Sequence, residues 1–337
     1  MDILRAATDW FSIDSDTAVG SVRRAGIKLA NQLGFTEQRA AEVGIVASEV
    51  TSNVWRHGGH GSVAVRTVVG SGVAGVQLIG IDRGPGMADV RQSGADGHST
   101  RGTLGIGLGA IERLSTSFDV SSHPGVGTVV VATLWPADNA SGDEELDVAA
   151  LTRPIDGETA CGDAVAARRH DGHLLAVVAD GLGHGPMAAA ASIEALRALH
   201  ESASTDPAEL LSAMHGRLTH TRGAAVAVAS IDPQFRQLRF AGVGNIGAFV
   251  DDGDQRRTAL SQPGIVGHRS TQVRVVDFQL TQQTVVVMHS DGIRDGFNLR
   301  TLPGLATRPA AVIAATVLRD AGLRRDDAAV LVARRRQ

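Results

Sequence analysis

Only one cysteine, one lysine and no tyrosine occur among the 337 residues, and aromatic side chains make up 3% of the chain. With Cys161 alone no internal disulfide can form, so nothing calls for an oxidising compartment. Cys161 stands directly before Gly162-Asp163 and reads as a small packed residue rather than a nucleophile. Lys28 as the sole lysine against abundant arginine, like the missing tyrosine, reads as base composition and carries no mechanism. No apolar run approaches the roughly 18–20 residues that cross a bilayer, and Met1 to Phe11 carries acids where a secretory signal is apolar. These absences lead us to expect a cytoplasmic protein without a membrane partner. A net charge of -4 leaves no basic excess to grip a phosphate backbone, which argues against nucleic acid as the main partner; Arg334-Arg335-Arg336 reads as a solvated tail. A P-loop is excluded, because no Gly-x-x-x-x-Gly-Lys-Ser/Thr occurs and Lys28 lies elsewhere.

What is present is the composition of a folded protein, 43% hydrophobic and long enough for two cores, since domains usually run to roughly 100–200 residues. Thr36 to Arg56 reads as a helix capped by Thr36, with apolar Ala41, Ile45, Val46, Val50 and Val54 recurring mostly at three- to five-residue steps. Strands are expected over 62–69 and 75–82, a Gly/Ser-rich stretch over 83–103, a helix over 104–115, and a closing strand pair at 118–122 and 127–135. The apolar pattern stops at Pro136, and Ala137 to Asp147 is small, polar and acidic, as linkers are. We therefore place a first domain at 1–136, an acidic linker at 137–149 and a second domain at 150–337. The second domain alternates strands at 164–169, 174–179, 224–232, 237–243, 248–251, 284–289 and 328–332 with helices near 187–201, 207–219 and 309–321. That is the pattern of an α+β domain with packed sheets, so the chain reads as α+β and two-domain.

Within the second domain, Asp163, Asp180, Asp291 and the pair Asp326-Asp327 lie far apart in sequence. Most of them border an apolar, strand-like run: Leu174 to Asp180, Val285 to Asp291 and Asp327 to Ala333. Buried strands would hold such carboxylates rigidly as they converge on divalent ions, and an all-oxygen donor set suits Mg²⁺ or Mn²⁺. Two ions about 3.5–4 Å apart lower the pKa of a bridging water and clamp a phosphoryl group. Either acid of the Asp326-Asp327 pair could ligate, and Asp326 is preferred. His184 could assist a leaving group or solvate a turn, His289 reads as packing at a strand end, and Asp295 reads as a solvated acid. Gly242-Val243-Gly244-Asn245 has no role that its residues define, and no arginine stands out as a grip for a substrate phosphate.

The first domain carries a different constellation. Glu49 and Asn53 are four apart and share a helix face, so Asn53 can hold Mg²⁺ through its amide oxygen while Glu49 reaches a reacting group. Asp82 ends an apolar strand, where a carboxylate can accept from an adenine amino group. Gly84 and Gly86 allow a sharp backbone turn against the base, and Gly102, Gly105, Gly107 and Gly109 run into a helix start that suits phosphate.

In their order these motifs, Ser48-Glu-Val-Thr-Ser-Asn53, Asp82-Arg-Gly-Pro-Gly86, Thr103-Leu-Gly-Ile-Gly-Leu-Gly109 and Gly125-Val-Gly-Thr128, resemble the GHKL ATPase superfamily. More closely they resemble its small anti-sigma-factor kinases of the RsbW and RsbT type, over roughly residues 10–135. The resemblance implies a Bergerat α/β sandwich with ATP and Mg²⁺ as cofactors. It puts Asn53 on Mg²⁺, Asp82 and Thr128 on adenine, and Glu49 as the base that activates a serine or threonine hydroxyl. Gly162-Asp163, Asp180-Gly-Leu-Gly-His-Gly185, Ser290-Asp-Gly292 and Arg325-Asp-Asp-Ala328 resemble the metal-dependent, PPM-type serine/threonine phosphatases of the SpoIIE and RsbX branch, over about residues 150–333. This second resemblance implies an α-β-β-α sandwich with two Mn²⁺ or Mg²⁺ ions. Asp180 would bridge them, the Gly181 carbonyl would ligate one, Asp291 and Asp326 would complete the other, and Asp163 would act through the metal shell. Together the resemblances imply a bifunctional partner-switching regulator that adds and removes phosphate on a STAS-type antagonist or scaffold protein. A sigma factor is a further candidate partner, and the small-kinase likeness allows a homodimer. The alternative is a first domain that binds nucleotide and sequesters a partner without transferring phosphate, leaving only the phosphatase active.

Overall fold

In the computed structural model, which describes residues 3–5, 8–70, 72–90, 107–137, 145–268 and 273–336, the chain folds as two units. One is Ala7–Asp143; the other joins Met1–Ala6 to Glu144–Gln337. The reason for that unequal division is a short first strand, β1 (Ile3–Arg5), which pairs antiparallel with Ala166–Arg168 of the second unit. Residues expected in the first domain therefore complete a sheet of the second.

The first unit is an antiparallel sheet with helices on one face. Its elements are β2 (Thr8–Ile13), α1 (Ala18–Gln32), α2 (Glu37–Gly58), β3 (Gly61–Gly70), β4 (Val73–Asp82), α3 (Gly107–Leu114), β5 (Ser117–His123) and β6 (Gly127–Leu134), with strand order β2-β3-β4-β6-β5. The Thr36 hydroxyl accepts the Arg39 N–H at 3.2 Å and starts α2, with Glu37 in its first turn and Arg56 and His57 in its last, each complementing the helix dipole. Val43, Val46, Ala47, Val50 and Val54 form its buried stripe against Val63, Val65, Leu78, Val130 and Ala132 of the sheet. Neither α1 nor β2 is marked in the sequence. The buried face of α1 is Val22, Gly26 and Ala30, too small for strong apolar contrast, and Gly26 lets the helix lie close on Val43 and Ala47 of α2. Arg39 ties the unit together: Nε donates to the Trp135 carbonyl at 3.0 Å, Nη1 to the Leu114 carbonyl at 2.9 Å and Nη2 to the Thr116 hydroxyl at 2.9 Å.

The second unit is an α-β-β-α sandwich. It contains β7 (Leu146–Arg153), β8 (Asp163–His170), β9 (His173–Gly181), α4 (Pro186–Glu201), α5 (Pro207–Leu218), β10 (Ala224–Ile231), β11 (Gln237–Val243), β12 (Gly247–Asp251), β13 (Arg256–Leu260), β14 (Val276–Gln279), β15 (Val285–His289), α6 (Ala310–Ala321) and β16 (Ala328–Arg335). One sheet runs β1-β8-β9-β10-β11-β14 and the other β13-β12-β15-β16-β7. Val165, Val178, Ala227 and Phe240 of the first meet Ala150, Val250, Met288 and Leu331 of the second in a shared core. Helices α4 and α5 cover the outer face of the first sheet through Leu196, Leu199, Leu210 and Met214, while α6 packs on β7 and β16.

Two expectations are corrected here. The acidic linker does not extend to residue 149, because 146–149 already belong to β7; Asp147, which gave that stretch its linker character, accepts the Ala310 N–H at 2.7 Å. Arg334 is no tail residue. It is 5% exposed in β16 and donates to the Ala306 and Arg308 carbonyls, so its charge is spread over backbone dipoles rather than water. Among the described residues no helix is long and apolar enough to cross a membrane.

Replacing Arg39 by alanine should destabilise the first unit by about 2–4 kcal/mol, because three acceptors lose charged donors. Arg39→Lys should recover little of this, since an ammonium cannot reproduce the planar fork. Chemical denaturation of the full chain reads both values.

Candidate functional sites

Helix α2 sets the first site. Glu49 and Asn53 converge on the first residue of α3, where a β-carbon on Gly107 would lie 3.2 Å from both Glu49 Oε2 and Asn53 Oδ1. Among the described residues Asn53 Nδ2 is buried without a hydrogen-bond partner. Five residues further along α2, about 7–8 Å down its axis, Gly58 packs so closely on Asp82 that any side chain there would strike it. Asp82 is 7% exposed, and its Oδ1 accepts the N–H of Gly84 at 2.8 Å and of Thr128 at 3.2 Å. The Thr128 hydroxyl pairs with the Ser122 hydroxyl at 2.9 Å, which in turn accepts the Met87 N–H at 2.8 Å. Gly86 has φ +68°, and a side chain on it would collide with the His123 carbonyl, so only glycine fits.

Asp82, Gly84, Gly86 and Thr128 thus form one end of the site, and Glu49, Asn53 and Gly107 the other. Gly109 is buried within α3, and Gly105 lies outside the described residues. A buried amide lacking a partner costs free energy unless a ligand supplies one. Here it adjoins a carboxylate and a helix start, a donor and acceptor set that fits a nucleotide with Mg²⁺.

The second site grows from a turn. Asp171 and Gly172, with φ of +49° and +76°, form the two-residue connection between β8 and β9, the conformation in which both residues need positive φ. The turn pairs His170 with His173, and the same register places Asp163 opposite Asp180 at the far end of the hairpin. Directly opposed residues lie on the same face of a sheet. The other sheet contributes acids at the matching end: Asp291 follows β15, and Asp326-Asp327 precede β16, which pairs antiparallel with β15. A side chain on Gly292 would collide with the Asp327 carbonyl, which explains glycine after Asp291.

Burial and neighbouring acids raise the proton affinity of three of these carboxylates. Burial, and then the neighbouring Asp180, push Asp163 well above the ordinary carboxylate range. Burial, and then Asp291, push Asp180 up to about 7. Asp326 is raised by burial and by Asp291. Asp163 is 4% exposed, and among the described residues its Oδ2 has no hydrogen-bond partner. Gly181 continues β9 from Asp180, pairing with Ala224.

Asp327 is different from its neighbour: its two oxygens accept the Ile155 and Gly162 N–H groups, each at 2.9 Å. It pins the chain before β8, which leaves Asp326 as the candidate ligand of the pair. His184 is 66% exposed and 3.4 Å from Glu158. His289 is buried, with its Nδ1 on the Ser290 carbonyl at 2.9 Å, and Asp295 is 96% exposed.

Sequence reasoning left Asn245 without a role. Its amide donates to Asp291 Oδ2 at 2.6 Å and also hydrogen-bonds Asp180, so it links acids from the two sheets. A lone Asn in a Gly-rich turn gives no sign of this.

Among the described residues, no three acid, His or Cys side chains surround a single point closely enough to ligate one ion as they stand. The donor set nonetheless fits a hard divalent cation: all ligands are oxygen, one is buried and unpartnered, and several acids repel one another in a way a cation relieves.

Two outcomes follow for the acids. Asp327→Ala should cost about 3–5 kcal/mol in chelator, since the buried Gly162 and part-buried Ile155 N–H groups lose a charged acceptor, whereas Asp326→Ala, which removes the acceptor of the Asp327 N–H together with one of the repelling charges, should cost less than about 1 kcal/mol. Asp180 also sets a pH dependence. Its folded pKa of about 7 exceeds the ordinary value of 3.8, so the folded state holds the proton more tightly and stability is lost as pH rises between those values. In EDTA, Asp180→Asn should flatten the fall of the melting temperature between pH 4.5 and 8; a profile parallel to the wild type would contradict the clustering.

The Histidine kinase-like ATPase domain family matches residues 13–134, and the Stage II sporulation protein E (SpoIIE) family matches residues 170–336, a stretch holding Asp180, Asp291 and Asp326 and starting beyond Asp163. Serine/threonine-protein kinase RsbT of Bacillus subtilis (strain 168) is 33% identical over 132 residues, which is 39% of this chain and 94% of RsbT. Phosphoserine phosphatase RsbX of the same organism is 30% identical over 91 residues, 27% of this chain and 46% of RsbX, so the chain spans less than half of that relative. A structure solved in connection with the bacterial stressosome aligns with a TM-score of 0.53 and 33% identity, covering 57% of this chain and 100% of its own. The second half matches the SpoIIE family over residues 170–336, and in its first half the chain belongs to the RsbT family of histidine kinase-like ATPase domains.

Proposed function

We propose that the chain both writes and erases phosphate on a serine or threonine of a partner protein, a STAS-type antagonist or scaffold. The observation that carries this reading is the gathering of Asp163, Asp180, Asp291 and Asp326 at one end of the paired sheets, where burial and neighbouring acids raise the proton affinity of Asp163, Asp180 and Asp326. Two Mn²⁺ or Mg²⁺ ions, when bound, would supply charge neutralisation and an activated water for attack on phosphorus. In this reading Asp180, the Gly181 carbonyl, Asp291 and Asp326 would hold the ions, and Asp163 would order the site from its buried position. Asn245 keeps Asp180 and Asp291 oriented, and Asp327 holds the backbone on which Asp163 stands.

In the first unit Asn53 would hold Mg²⁺ through its amide oxygen, and Asp82 and Thr128 would hold adenine. Gly84 and Gly86 let the chain pass the base, and Gly107 and Gly109, in the first turn of α3, would line the phosphates. Glu49, beside Asn53 at Gly107, accepts the proton of the partner's hydroxyl as it attacks the γ-phosphate. The kinase and phosphoserine phosphatase activities in the names of RsbT and RsbX support the two halves of this assignment, and a relative from stressosome work supports a scaffold-type partner. Covalent fusion fixes both activities at one stoichiometry and keeps each at high effective concentration near a shared partner.

Phosphate release from a phosphoserine peptide with Mn²⁺ tests the second unit: Asp180→Ala and Asp291→Ala should each lose at least about a hundredfold in rate. For the first unit, Glu49→Ala should retain nucleotide binding and lose phosphoprotein formation. Phosphoprotein formation that survives Glu49→Ala would remove Glu49 from the base role. A wild type that binds ATP and transfers none would reduce the first unit to a nucleotide-dependent binding module.

A further inference from the structure

We propose that Arg222 grips the phosphate of the substrate at the second-unit site, a phosphate monoester dianion, an inference that rests on the phosphatase reading above. Arg222 lies two residues before Ala224, which pairs with Gly181 as Ala225 pairs with Asp180, so it leaves the strand next to β9 at the end that carries the acids. A β-carbon on Gly183 would be 3.4 Å from Arg222 Nη1, which puts the guanidinium against the Gly181–Gly185 loop that follows Asp180. Its side chain is exposed, and among the described residues it makes no hydrogen bond or ion pair.

The backbone under Arg222 is held on both sides. Gly223 N–H donates to the Thr221 hydroxyl at 3.0 Å, that hydroxyl donates to the Leu218 carbonyl at 2.8 Å, and Ala224 exchanges two hydrogen bonds with Val266 at 3.1 and 2.9 Å. A fixed backbone carrying an unpartnered planar donor is suited to bidentate recognition of phosphate. His184 of the Gly181–Gly185 loop stands 3.4 Å from Glu158, whereas among the described residues Arg222 has no carboxylate within ion-pair distance. Apart from the exposed Arg325 beside Asp326, this end carries the acids Asp163, Asp180, Asp291 and Asp326, which a dianion can approach only if cations intervene. Metal ions answer the acids; Arg222 supplies donors for phosphate oxygens that the ions leave uncovered.

The test is calorimetric titration of inorganic phosphate, the reaction product, into the full chain with saturating Mn²⁺. Turnover of an aryl phosphate is followed in parallel. Arg222→Ala should weaken phosphate binding by about tenfold to a hundredfold and raise KM more than it lowers kcat, Arg222→Lys should recover part of the affinity, and Mn²⁺ binding should be unchanged in both. Phosphate binding equal to the wild type in Arg222→Ala, or no phosphate binding by the wild type at all, overturns the proposal. If the wild type turns over no phosphate ester yet binds phosphate through Arg222, the phosphatase reading fails and the anion grip stands.

Discussion

Mutual repulsion among carboxylates is the constraint around which the second half of this protein is arranged. Asp163 and Asp180 are opposed across one hairpin, and two acids from a second sheet raise the proton affinity of the same end. Like charges at partly buried positions cost stability unless protons or cations neutralise them. The surrounding structure holds them in place regardless. Asp327 fastens the segment before β8 through two backbone N–H groups, Ser290 hydrogen-bonds Asp163, and Asn245 spans Asp180 and Asp291. A fold that maintains such a conflict is suited to a function that needs a dense, rigid set of anionic oxygens.

The first half meets the opposite need, an anionic ligand, and does so from a helix. Glu49 and Asn53 on α2 meet the start of α3, while Gly58 near the end of α2 abuts Asp82. One helix therefore positions both ends of the site, and Arg39 in its first turn fixes that helix to Leu114, Thr116 and Trp135. A nucleotide and a metal pair place different demands on a scaffold. Nucleotide needs close backbone approach, supplied by glycine at 86, whereas ions need carboxylates from several strands.

Much of both sites was legible because their residues end strong periodic segments. Asp180, Asp291 and Asp82 each close an apolar strand run, and a strand end is where a charged side chain can stand with little burial of its neighbours. The spacing of Glu49 and Asn53 fixed their shared face. What stayed hidden depends on pairing rather than local pattern. Strand β7 looked like linker because Asp147 is acidic, and its hydrogen bond to Ala310 is 163 residues away. Strand β1 is three residues long and finds its partner in the second unit, and α1 has a buried face too small to stand out. Arg222 and Asn245 act through neighbours that only the folded chain supplies. The Asp171-Gly172 turn was a readable hairpin signal, and with it the register that opposes Asp163 to Asp180 was within reach.

The central claim is that the clustered acids form one cation site centred on Asp180. Calorimetric titration of Mn²⁺ into the full chain without nucleotide, at pH 7 in two buffers of different ionisation enthalpy, tests it most directly. The account predicts two ions bound in the second unit with proton release on binding, because Asp180 is partly protonated at that pH; Asp180→Ala should abolish both the release and the tight binding. Tight Mn²⁺ binding that is indifferent to Asp180, or proceeds without proton release, would contradict it.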